Sequence, residues 1–200
     1  MFLTLCSALS ALLSFIAGTK SKGVLWIYML CCCLYNSLLL VLQAWTGNEE
    51  LWTRNGYLAL EFTCIVVYYE KEVFVKKTSF QLLSAALLVV FLAGTTLARE
   101  GWLLFYYTGA CILNFYYILL SLAGYRMLLR EQKNSFLEKS SFFWANTALG
   151  MYAAGSLLLC LLHNLGGYPA TPGMAIYAFL SLDILKNILT GIALTRKPGY

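Results

Sequence analysis

Hydrophobic positions in this chain come in long unbroken blocks, not in strict alternation or narrow amphipathic stripes. Seven blocks stand out, at about 2–18, 24–45, 51–69, 79–98, 102–125, 141–162 and 174–195. Each is close to the ~20 apolar residues that a helix needs to cross ~30 Å of hydrocarbon. A membrane β-barrel would instead alternate in units of ~10 residues, and nothing here does so. The pattern predicts an all-α polytopic bundle of seven transmembrane helices. No stretch outside the blocks is long enough to fold alone, so residues 1–200 form a single domain. Block 2–18 lacks the basic leader and small-residue cleavage pattern of a signal peptide, and is expected to stay as a span.

The connectors set the orientation. On one side lie Lys20, Lys22, Lys71, Lys76, Lys77, Arg126, Arg130, Lys133, Lys139, Arg196 and Lys197; on the other only Arg54 and Arg99. Basic residues concentrate on the cytoplasmic face, which puts the N-terminus outside and the C-terminus in the cytoplasm. The tryptophans at 26, 45, 52, 102 and 144 fall near block ends, where an amphipathic ring favours the headgroup region.

Composition narrows the class further. The chain is 60% hydrophobic and 12% charged, with a mean hydropathy of +0.72, too apolar to surface a soluble domain. An integral, multi-pass protein of the cell membrane is expected, with the lipid bilayer as its main partner. The net charge of +5 is a topology signal in the loops and points to no nucleic acid. The seven cysteines fall inside apolar blocks without metal-site spacing, and His163 is the single histidine. Ser, His and Asp are too scattered for a hydrolase triad, so neither an enzyme nor a metal site is expected.

Three ionisable residues break the apolar blocks. Glu61 lies in the third, Asp183 and Lys186 in the seventh. A charge at that depth costs roughly 2.5–3.5 kcal/mol on insertion scales and must face protein or water. At ~1.5 Å per residue, Glu61 is roughly 15 Å from the outer end of its block, Asp183 roughly 14 Å and Lys186 roughly 18 Å. All three reach one level near the midplane, so a Glu61–Lys186 ion pair with Asp183 as third member is expected. Helical spacing adds a polar seam: Asp183 and Asn187 share a face with Thr190, and Glu61 with Tyr57, Cys64 and Tyr68. Asn114 and Asn36 offer further polar groups from the fifth and second blocks. The cluster reads as a ligand or ion site for non-enzymatic transport or sensing of a small ion or solute. A structural reading stands beside it, with the polar groups as glue worth roughly 0.6 kcal/mol per hydrogen bond, in a subunit of a larger membrane complex or a homo-oligomer.

Seven spans, an outside N-terminus, a lysine midway along the last helix and an acid one turn before it resemble the microbial rhodopsins. Trp52-Thr53-Arg54 is similar to the Trp-x-Arg that opens that family's third helix, and Tyr106-Tyr107 lie where it places aromatic residues. The resemblance implies retinal as cofactor, bound as a Schiff base to Lys186, with Glu61 as counterion. The chain departs from the family at Leu182, four residues before the lysine, and at Tyr57, where the third-helix acid is expected. Block six lacks the family's tryptophan and proline, with Tyr152 as a loose stand-in.

Overall fold

The chain is all-helical in a computed structural model that describes residues 2–20, 23–46, 51–75, 77–97, 102–130, 137–165 and 172–196. Seven α-helices lie among the described residues: α1 Phe2–Ala17, α2 Val24–Thr46, α3 Leu51–Glu72, α4 Thr78–Leu97, α5 Trp102–Arg130, α6 Ser141–Asn164 and α7 Pro172–Thr195. Each coincides with one hydrophobic block. The side chains of Trp52, Arg54, Trp102, Tyr106, Tyr107 and His163 lie outside the described residues, as do Lys22, Lys76, Arg99, Lys133 and Lys197.

Most ends fall within two residues of the sequence expectation, and three of the differences have a visible local cause or content. Helix α5 continues to Arg130 instead of stopping at 125, because Met127 and Leu128 still pack against the core. Helix α3 adds a last turn through Glu70, Lys71 and Glu72. Helix α7 begins at Pro172, ahead of 174, since a proline's fixed φ and missing N–H suit the first helical turn.

The helices form a ring in chain order. Helix α1 packs on α2 and α7, α7 on α6, α6 on α5, and α3 on α2, α4 and α5. The distribution of side chains is inverted relative to a water-soluble domain. Leu13, Leu34, Val41, Leu82, Val89, Leu122 and Leu158 are exposed, while Ser7, Asn36, Glu61, Asn146, Lys186 and Asn187 are buried. Among the described residues, five helical stretches are long and apolar enough to cross a membrane: Val24–Leu42, Thr78–Thr95, Thr108–Arg130, Ser141–Leu162 and Tyr177–Thr195. Helix α1 is shorter, at 16 residues, and α3 carries Arg54, Glu61, Glu70, Lys71 and Glu72. Five such helices with an apolar exterior are compatible with an integral membrane protein.

Helix α7 is wedged between α1 and α6 by small residues. A Cβ on Gly191 would lie 2.6 Å from Ser14 Oγ and 3.3 Å from the Ser14 backbone, so only glycine lets α1 come this close. On its other side a Cβ on Gly155 of α6 would lie 2.7 Å from Leu182. Close approach of this kind replaces the missing hydrophobic drive between helices in lipid. Away from α7, Asn146 ties three helices together. It accepts from Tyr69 of α3, donates to the Ser121 carbonyl of α5 at 3.1 Å, and its own carbonyl accepts from Ser121 Oγ at 3.2 Å.

Candidate functional site

With α7 held at that depth, Lys186 reaches across the ring to α3. Its Nζ donates to Glu61 Oε1 at 2.6 Å, to Asp183 Oδ1 at 2.8 Å and to the Tyr57 hydroxyl at 3.3 Å. Three partners account for the three protons of an ammonium. Asp183 is available because residues three apart on a helix are neighbours. Glu61 is 0% exposed, Lys186 2% and Asp183 15%, so the triad is enclosed with its carboxylates unequally sheltered.

The surroundings of Glu61 are aromatic. Tyr28 of α2 donates to Oε1 at 2.9 Å and Tyr57, one turn earlier on α3, at 3.3 Å; Cys32 Sγ lies 3.3 Å from the Tyr57 hydroxyl. Oε1 thus meets three donors, while Oε2 is buried with no hydrogen-bond partner among the described residues. The ammonium also lies over rings, 4.2 Å from the centroid of Tyr152, 5.6 Å from Tyr28 and 5.7 Å from Tyr57. Desolvated cation–π contacts contribute about 2 kcal/mol or more, so the rings add to the ion pairs in holding the ammonium.

Asp183 looks toward α1 instead. Ser7 donates to Asp183 Oδ2 and also reaches Asn36 Oδ1 at 3.2 Å; its one hydroxyl proton serves one of them at a time. Asn187 Nδ2 spans Asp183 Oδ2 at 3.4 Å and Ser10 Oγ at 3.1 Å, and Ser14 Oγ donates to the Asn187 carbonyl at 2.7 Å. Asn36 is anchored in turn to the Cys32 carbonyl at 3.0 Å.

The structure therefore brings together Glu61, Asp183, Lys186, Asn187 and, through Ser7, Asn36. Asn114 is different. It is buried, but it donates to the Ala110 carbonyl of its own helix at 2.8 Å, and among the described residues no hydrogen bond joins it to the triad. A buried amide on a helix can satisfy itself on the preceding turn, which spacing alone does not reveal. The sequence reading also missed Tyr28, Ser7 and Ser10. The signal for the serines was present: Thr4, Ser7, Ala11, Ser14 and Gly18 recur at helical spacing and form the small, polar face that α1 turns to α7.

Lys186 and Tyr28 also line a cavity of about 30 Å³. Its other walls include Leu25 near the start of α2, Tyr68 and Tyr69 near the end of α3, Ala145 and Leu149 near the start of α6, and Thr190 near the end of α7. Those ends carry the basic connectors. At about 10–15 Å³ for one water, the volume is enough to hold water beside Lys186 and Tyr28.

No family of known proteins matches the chain, and no curated protein and no solved structure matches it either. The reading of the site rests on its own geometry.

Proposed function

We propose that the chain is a seven-span, non-enzymatic protein of the cell membrane, N-terminus outside and C-terminus in the cytoplasm. It moves or senses a small ion or solute through Glu61, Asp183 and Lys186. Helices α1 and α3 join the five apolar spans because they are members of the same ring, packed against α2 on either side. The charges of α3 lie near its ends, apart from Glu61, which Lys186 answers. The observation that carries the reading is Lys186 held at 2.6 Å by Glu61 and 2.8 Å by Asp183 inside the bundle. Two carboxylates and one ammonium leave one negative charge in a low-dielectric interior. A packed apolar core would hold the helices together at lower cost, so an imbalance of this kind is best explained by use. Binding of a cation or proton neutralises the site, frees Lys186 from one partner and lets α3 and α7 repack.

The test is flux in liposomes containing the purified chain, under an imposed pH or sodium gradient, with tryptophan fluorescence reporting binding without transport. Glu61→Gln and Lys186→Met each abolish both signals. Unchanged signals in both folded variants would sink the proposal and leave the triad as glue in a subunit of a larger assembly.

A retinal protein is the second reading, favoured by one observation: a buried lysine between two carboxylates is the setting a protonated Schiff base needs.

A further inference from the structure

We propose that the ion bound at this site is a proton, that Glu61 accepts it, and that it arrives from the basic end of the bundle through the cavity and the hydroxyl of Tyr28. The inference rests on the transport-or-sensing reading and adds to it the ion, its acceptor and its route.

The acceptor follows from valence. Facing Glu61 are Tyr28 and Cys32 from α2, Tyr57 and Cys64 from α3, and Tyr117 from α5. Tyr152 of α6 covers the ammonium from the far side. Phenols and thiols stand as neutral donors there, and the charges are those of Glu61, Asp183 and Lys186. Asp183 has both oxygens occupied, Oδ1 by Lys186 and Oδ2 by Ser7 and Asn187. Glu61 has Oε2 bare and buried. A metal cation needs several converging oxygens, and the ammonium already fills the place where they converge. One bare oxygen and one excess negative charge match a single proton.

The route follows from the cavity. Glu61 itself does not line it, but Tyr28 and Lys186 do, and both are bonded to Oε1. A hydronium in the cavity gives its proton to the Tyr28 oxygen as the Tyr28 hydroxyl proton passes to Glu61 Oε1, the oxygen it bonds, which releases Lys186 from that oxygen. The hydronium becomes water, the tyrosine is unchanged, and the carboxylate becomes a neutral acid. Lys186 then keeps Asp183 as its single charged partner. Asp183 in turn stays bonded to Ser7 of α1 and Asn187 of its own helix.

The experiment follows protons by infrared spectroscopy and a pH-indicator dye, using the full chain in lipid nanodiscs after a rapid acid jump. The parent takes up a proton and gains the carbonyl band of a protonated carboxyl. Glu61→Gln loses that band and Asp183→Asn keeps it. Tyr28→Phe, which retains the ring, reaches the same end point about 100-fold more slowly, the scale of a lost positioned proton-transfer group. A band that survives Glu61→Gln, parental kinetics in Tyr28→Phe, or a proton displaced by added sodium would each overturn the inference. Proton uptake that follows this pattern without any Glu61-dependent flux or binding signal would leave this inference intact and defeat the broader function; flux through a site that never takes a proton would do the reverse.

Discussion

Lys186 Nζ and Glu61 Oε1 meet at 2.6 Å across 125 positions of sequence, and Asp183 joins them from the same helix as the lysine. Removing the cation alone strands Glu61, fully buried, and Asp183, partly buried. Lys186→Met is expected to destabilise the protein by about 3–5 kcal/mol, the usual cost of breaking a buried pair from one side. The double variant Glu61→Leu/Lys186→Met recovers much of that loss. Thermal or denaturant unfolding in detergent measures both, and a double variant no better than the single one would show that the pair is not coupled.

The retinal reading has a direct spectroscopic check. If it holds, protein expressed with all-trans retinal gains a visible band that Lys186→Ala removes. A flat spectrum from well-folded protein would remove the reading.

At Gly191 helix α7 comes close to Ser14 of α1, and a side chain there would run into it. Gly191→Leu is expected to cost about 1–3 kcal/mol through overpacking against Ser14. It also moves Ser7 and Ser10 off Asp183 and Asn187, so flux falls with stability. A variant as stable and active as the parent would mean that the two helices do not pack as described.

The clamp at Asn146 separates stability from function. Ser121→Ala removes the hydroxyl bond to the Asn146 carbonyl and costs about 0.6 kcal/mol, with an upper bound near 1.7, as for other hydrogen bonds between membrane helices. Flux per folded molecule stays at the parental level, because among the described residues Ser121 neither lines the cavity nor bonds the triad. A large loss of flux at unchanged stability would place Ser121 in the pathway.

Orientation is tested with reporters that work on one side of the membrane only. A fluorescent protein fused after Tyr200 lights up in the cytoplasm, and a periplasmic phosphatase at the same point stays silent. A protease site inserted in the connector between Arg130 and Ser141 is cut from the cytoplasmic side only. The opposite pattern would invert the topology.

Much of this was legible in the chain. The seven blocks became seven helices because uninterrupted apolar runs of that length have few other ways to satisfy a backbone out of water. The Glu61–Lys186–Asp183 meeting followed from depth alone, since rise per residue is fixed and an unanswered charge is too costly to leave. Asn114 shows the limit: a polar residue at the right depth can bond its own helix, and rotation about the helix axis was not fixed by its neighbours in sequence. Ser7 and Tyr28 show another. Neither is unusual by type, and each matters only because α1 and α2 close the ring beside α7 and α3. Where α5 ends was hidden for a related reason, because Met127 and Leu128 are drawn into the core from a stretch whose charges read as a loop.

The distance in sequence between Glu61 and Lys186 has a consequence for how the protein is made. Chains emerge N-terminus first, so α3 is finished while α7 does not yet exist. Four more helices must be synthesised before the ammonium arrives. In that interval the partners of Glu61 are Tyr28 and Tyr57, both already made, whose hydroxyls can hold the carboxyl group. Helix α7 has no such wait, because Asp183 precedes Lys186 by three residues and travels with it. The tyrosines are therefore guardians of an unfinished site, keeping its one early charge sheltered until the last helix closes the ring.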